Sequence, residues 1–168
     1  MTVCVGLLHK DFCILASDSR VSYESGTFYD KATKIIDVGG KGALAISGTL
    51  GAGQKLARLL GTHPNPLDVP INEIPDEPPN CIYMNPDRKM FVIDSGFGVT
   101  ELKDGEYFCV GSGCDIAETS IMKQLGKRKI AALDYKAATK IIEEAIQDAC
   151  RLNLYCAPPI VVKVFKRG

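Results

Sequence analysis

Thr2-Val3-Cys4-Val5-Gly6-Leu7-Leu8 and Phe12-Cys13-Ile14-Leu15-Ala16-Ser17 stand on either side of His9-Lys10-Asp11. Two apolar runs joined by a short polar connection read as a β-hairpin. Asp18 follows Thr2 by 16 positions, Lys34 by 32 and Gly48 by 46. Removal of Met1 would give Thr2 both a hydroxyl and a free α-amine, a nucleophile and a base on one residue. A threonine at position 2 means nothing alone; the four-point spacing is the signal.

Outward from that hairpin, Lys34 to Val38 and Ala43 to Ser47 are apolar runs separated by Gly39-Gly40-Lys41-Gly42. From Leu50 to Leu60 the period becomes helical. Residues 61–79 hold six of the nine prolines, which excludes a long regular helix and predicts a surface loop or assembly arm. Strands are expected again at Cys81–Met84, Lys89–Asp94, Gly98–Leu102 and Tyr107–Val110, as hairpins of an antiparallel sheet. Gly111-Ser112-Gly113 then opens a helix with Ala117, Ile121 and Leu125 on its apolar face, closed by Gly126. Asp134 is the expected N-cap of a further helix striped by Ala138, Ile142, Ala145 and Ala149. Ile160–Phe165 is the last strand. This order predicts an α+β layered domain of two sheets with helices outside them.

The length suits one domain, residues 1–168, with a real core. Twenty basic and twenty acidic residues leave no net charge, which argues against nucleic acid or an anionic membrane as the main partner. Lys127-Arg128-Lys129 follows a helix end, where cations suit the macrodipole. No secretory signal is read at the N-terminus, and no run of about 18 apolar residues is present to span a bilayer. Seven cysteines without an export signal suggest reduced thiols in a cytoplasmic setting. With no Cys-x-x-Cys, and with His9 and His63 far apart, neither a metal site nor a cofactor is expected.

Taken together, Thr2-Val3-Cys4-Val5-Gly6, Ala16-Ser17-Asp18-Ser19-Arg20, Lys34-Ile35, the Ser47-Gly48 turn and Gly111-Ser112-Gly113 resemble the proteasome β-subunit and HslV family of N-terminal-nucleophile (Ntn) hydrolases. The likeness is good over residues 1–60 and fair over 105–155; across 61–79 it stops. It implies a four-layer αββα sandwich of two antiparallel sheets. It also implies a threonine peptidase acting on peptides or unfolded proteins, a homo-oligomeric ring, and an ATP-dependent unfoldase as partner.

Carried onto this chain, the resemblance makes Thr2 the nucleophile and its freed amine the proton carrier. Lys34 becomes the neighbouring cation, which disfavours a second protonated amine beside it. Asp18 orients Lys34, the Gly48 N–H faces the oxyanion, and Ser112 supports the Thr2 amine. Arg20, Asn153 and Cys156 are supporting residues; the last two stand where relatives carry the Asp and Ser of Arg-Asp-x-x-Ser-Gly. Val21, Ala32, Ile36 and Ile46 become an apolar pocket for the substrate side chain before the scissile bond. Segment 61–79 stands where relatives place a second long helix.

Each residue also has a plain structural reading. Asp18 ends a strand with Arg20 as its surface ion pair, Lys34 protects a solvated edge, and Gly48 and Gly111-Ser112-Gly113 are helix-entry turns. Two other functions fit the same residues: a catalytically silent scaffold subunit that keeps Met1, and an Ntn amidase or peptide ligase sharing the acyl-enzyme.

Overall fold

The computed structural model describes residues 2–167. Met1, on whose removal the Thr2 amine depends, lies outside the described residues. In chain order the strands are β1 (Cys4–Leu8), β2 (Phe12–Ser17), β3 (Val21–Ser22), β4 (Phe28–Tyr29), β5 (Ile35–Val38), β6 (Gly42–Ser47), β7 (Asn80–Met84), β8 (Met90–Ile93), β9 (Val99–Glu101), β10 (Tyr107–Val110) and β11 (Val161–Lys166). The helices are α1 (Leu50–Thr62), α2 (Cys114–Leu125) and α3 (Tyr135–Leu152). One antiparallel sheet has the order β10-β1-β2-β11 and the other β5-β6-β7-β8-β9. Strands β3 and β4 form a separate short ribbon.

Period-two alternation builds the layers. In β1 and β2, Val5, Leu7, Phe12, Ile14 and Ala16 face a core shared with α2 and α3. Their neighbours Cys4, Leu8, Cys13 and Leu15 face the second sheet. The second sheet alternates in the same way. Ala43, Ala45, Ile82, Met84, Met90 and Val92 point into the space between the sheets. Leu44, Ile46, Cys81, Tyr83, Phe91 and Ile93 point at α1. Three apolar interfaces therefore separate four layers, and strands covered on both faces read as unbroken apolar runs. Gly6 leaves room for the facing sheet: a Cβ there would lie 2.6 Å from Ile82 Cγ2 and 2.8 Å from Met90 Sδ.

The outer layers are unequal. Helix α3 is capped by Asp134, whose side chain accepts from the Ala137 N–H at 2.7 Å, and it buries Ala138, Ile141, Ile142, Ala145, Ile146 and Ala149. Such a cap contributes about 1 kcal/mol. The other face carries α1 and then segment 61–79, which contains two single 3-10 turns, Pro66–Asp68 and Ile71–Glu73. Pro66, Val69, Pro78 and Pro79 are buried, so the segment lies against the fold. The β3–β4 ribbon is the one strand pair not anticipated from sequence; its strands are two residues long, too short to show a period. Among the described residues, no helix is long and apolar enough to cross a membrane.

Candidate active site

The candidate residues meet where the two sheets share an end. Thr2 precedes β1, and Asp18 follows β2 beside it, with the Asp18 N–H bonded to the Val3 carbonyl at 3.2 Å. Lys34 comes from the other sheet, immediately before β5; its carbonyl accepts from the Ile46 N–H at 2.9 Å. Relative exposure is 2 % for Thr2, 0 % for Asp18 and 3 % for Lys34. Neither the solvated edge lysine nor the surface Asp18–Arg20 ion pair describes this arrangement.

Lys34 Nζ donates to Asp18 Oδ1 at 2.8 Å and also to Thr2 Oγ1, while Thr2 Oγ1 donates to Asp18 Oδ1. Asp18 Oδ1 further accepts from the Val3 N–H at 3.0 Å, and Oδ2 accepts from Arg20 N–H at 3.0 Å and Ala157 N–H at 3.1 Å. Five donors thus converge on one buried carboxylate. A carboxylate and an ammonium this deep are tolerated only because they are paired and multiply bonded. The hydroxyl held between them has what nucleophilic catalysis asks for: a buried oxygen, a cation for its developing charge and an acceptor that orients both.

Residues 111–113 close the site from the side. Gly111 has φ +103°, and a Cβ on it would stand 2.2 Å from the Thr2 carbonyl oxygen and 2.8 Å from Ser47 Oγ. Only glycine permits that approach. Gly113 N–H donates to the Thr2 carbonyl at 3.2 Å, and Ser112 Oγ is 3.5 Å from the same oxygen. Ser112 therefore bears on the carbonyl side of Thr2 at the limit of hydrogen-bond range. Asn153 Nδ2 donates to the Ser112 carbonyl at 2.7 Å, tying the end of α3 to this loop, and Cys156 Sγ packs beside Gly113. Gly48, at φ +132°, is exposed, and its N–H has no hydrogen-bond partner among the described residues.

Arg20 serves the loops around the site. Its guanidinium holds Asp30 through two 2.7 Å bonds, donates to the Leu154 carbonyl at 2.7 Å and lies over the Phe28 ring. The Asp30 hydrogen bond raises the Arg20 pKa, and the same bond lowers that of Asp30. Sequence reasoning missed Asp30, and also the Val3 and Ala157 N–H donors. Ten residues separate Arg20 from Asp30, and the pairing follows from the unforeseen ribbon; the backbone donors carry no sequence signal.

The four proposed pocket residues are placed less tightly. Val21 is half-buried on β3, and Ala32 is buried with its N–H on the Ser19 carbonyl at 3.0 Å. Ile36 lines a groove of about 470 Å³ with Gln54 and Arg58. Ile46 is buried beneath α1, so close to Gly53 that a Cβ there would lie 2.3 Å from Ile46 Cδ1.

All seven cysteines are free thiols, and burial pushes every one up from its ordinary pKa: Cys13 and Cys150 to about 11, Cys81, Cys109 and Cys156 to about 12, and Cys4 and Cys114 upward as well. Near Cys4 the Lys34 charge pulls the other way, but desolvation outweighs it. A cysteine nucleophile needs a thiolate, and this chain disfavours one at each position. Among the described residues, no group of three His, Cys, Asp or Glu is placed to hold a metal ion.

The eukaryotic HslV of Trypanosoma brucei superimposes on this chain with a TM-score of 0.73, covering 98 % of this chain and 99 % of its own, at 16 % identity. This is the proteasome-subunit and HslV fold. BPH of Thiobacillus denitrificans superimposes at TM-score 0.71 and 16 % identity, both alone and in its complex with epoxomicin; 100 % of this chain is covered, with 99 % and 100 % of the two BPH chains. The proteasome-subunit family model matches residues 2–64, the stretch that carries Thr2, Asp18, Lys34 and Gly48. No curated protein matches the sequence. The α+β sandwich of that fold is thus present, with the proline-rich segment 61–79 packed beside α1 in one outer layer.

Proposed function

We propose that this chain is a threonine endopeptidase of the Ntn-hydrolase type, cleaving peptides or unfolded proteins within a ring of like subunits in the cytoplasm. One observation supports it above the others: a buried threonine hydroxyl bonded to both Lys34 and Asp18, within a proteasome-like fold whose thiols are all held protonated. Removal of Met1 frees the Thr2 amine. That amine takes the Oγ1 proton as Oγ1 attacks the substrate carbonyl carbon, and Lys34 stabilises the charge that develops on the oxygen. The oxyanion is received by the unpartnered Gly48 N–H. The scissile C–N bond then breaks, its nitrogen takes the proton, and water hydrolyses the ester on Thr2.

Ser112, Asn153 and Cys156 hold the loop against Thr2, and Arg20 fixes the ribbon and the 154–157 turn. Val21, Ala32, Ile36 and Ile46 favour an apolar side chain before the scissile bond. An ATP-driven unfoldase supplies substrate in this reading. An amidase or ligase shares the acyl-enzyme and differs only in the acceptor, so product analysis with a competing amine separates them. A chain that keeps Met1 is the silent scaffold.

The experiment is intact mass spectrometry of protein from its own host, before and after epoxomicin. The expected species begins at Thr2 and gains one inhibitor mass. Thr2→Ala is expected to lower peptide turnover by about a thousandfold or more. A chain that starts at Met1, takes no adduct and turns over peptides equally well as Thr2→Ala overturns the proposal.

A further inference from the structure

Two clefts run away from Gly48 and share a wall. The nearer, about 330 Å³, starts at Ser47, Gly48 and Thr49 and is closed by Asp76, Glu77 and the two prolines that follow. The larger, about 680 Å³, continues from Thr49 along α1 past Lys55, with Glu73, Asp76 and Glu77 opposite. The arm is anchored where it meets the site. Ser47 pairs with Asn80 across β6 and β7, Pro78 and Pro79 are buried, and Pro79 Cβ would lie 3.4 Å from a Cβ on Gly48. Proline has a fixed φ, so this anchor sets the direction from which Asp76 and Glu77 enter the cleft.

Their charge is uncompensated. Among the described residues, none of Glu73, Asp76, Glu77 and Lys55 is in an ion pair. Three carboxylates face one ammonium. The N-terminus of α1 opens on the same space: Thr49 makes no side-chain cap, and the first turn has no acidic residue. Its partial charge, about +0.5, offsets a minor part of the negative excess. A concave wall with charge of one sign concentrates the opposite sign within it.

We propose that the arm is one wall of the peptide channel, and that Asp76 and Glu77 select a lysine or arginine side chain of the substrate beside the Gly48 turn. This rests on the peptidase reading and adds a substrate class to it. The selection is separate from the apolar preference assigned to Val21, Ala32, Ile36 and Ile46, none of which lines either cleft. Two requirements follow: an apolar residue before the scissile bond and a basic one along the arm.

The test needs no turnover. Thr2→Ala protein is titrated with a labelled nonapeptide in versions differing by Lys, Gln or Glu at each position in turn, with binding read by anisotropy. At one position the Lys peptide is expected to bind about tenfold more tightly than the Glu peptide in low salt. The ratio should shrink toward unity in 0.5 M NaCl, where screening is nearly complete beyond about 4 Å. It should also collapse in Asp76→Asn/Glu77→Gln on the same background, and Glu77→Lys should reverse it. Equal binding of Lys and Glu peptides, or a ratio that survives the double substitution, overturns the proposal. So does a variant whose Tm falls while the ratio stands, since the carboxylates would then serve the α1 dipole. Failure of the epoxomicin adduct is a different result: it removes the acyl-enzyme and leaves the binding ratio to be judged alone.

Discussion

Outside the sheet that carries Thr2, two helices pack side by side, and α3 alone buries six residues against the core. Outside the other sheet only α1 is regular; it buries Gly53, Leu56, Ala57 and Leu60, and the arm fills what remains with Pro66 and Val69. The site lies between these unequal halves. Thr2 and Asp18 belong to the double-helix side, whereas Lys34, Gly48 and the cleft walls belong to the side finished by the arm. The hydroxyl and the carboxylate thus come from one half and the ammonium from the other, so the Lys34–Asp18 pair bridges the two.

The strongest way to break that comparison is at the bond joining the halves. Asp18→Asn keeps the shape but leaves the Lys34 ammonium buried without its counter-charge, and is expected to destabilise the fold by about 3–5 kcal/mol. Urea denaturation measures it, and Lys34→Met added to Asp18→Asn should recover most of the loss. If the single substitution costs little, the ammonium reaches water by another route, and the two halves are not held together through this pair.

How much of this was legible in the sequence differs between the same halves. On the α3 side, the helical stripe, the Asp134 cap and the Gly126 stop were all local signals, and the helices fell where they predicted. The strands were legible as apolar runs, although only the structure shows the alternation inside them, because both faces are buried and both read as apolar. The Thr2, Asp18 and Lys34 cluster was legible as a spacing, and its geometry needed two sheets to meet. On the arm side, proline said what 61–79 was not. Its course over the Gly48 turn depends on burial of Pro78 and Pro79, a tertiary effect with no local signature. The ribbon that gives Arg20 its partner was invisible for the same reason.

A smaller expected difference sharpens the comparison within the core. Ile142→Ala empties a fully buried position under α3 and should cost about 4 kcal/mol. Val69→Ala removes two methyl groups from the arm's contact with the α1 core and should cost about 2 kcal/mol. Amide exchange should follow the same order, with α3 protected more than α1. Equal losses would show that the arm packs as firmly as a helix.

The smallest effect concerns the outer surface of the arm. Ile71 is 88 % exposed and Leu67 67 % exposed, so neither contributes to burial within this chain. Ile71→Ser should therefore move stability by no more than about 0.5 kcal/mol. Repeating the urea transition at protein concentrations a hundredfold apart gives the measurement its force, because a surface covered by another copy adds stability that grows with the logarithm of subunit concentration. A concentration-independent midpoint, unchanged by Ile71→Ser, leaves the arm as a cleft wall whose outer side is merely solvated. A midpoint that rises with concentration in the unsubstituted chain and not in Ile71→Ser makes the same residues an assembly surface, and the arm would then face substrate with one side and a neighbouring subunit with the other.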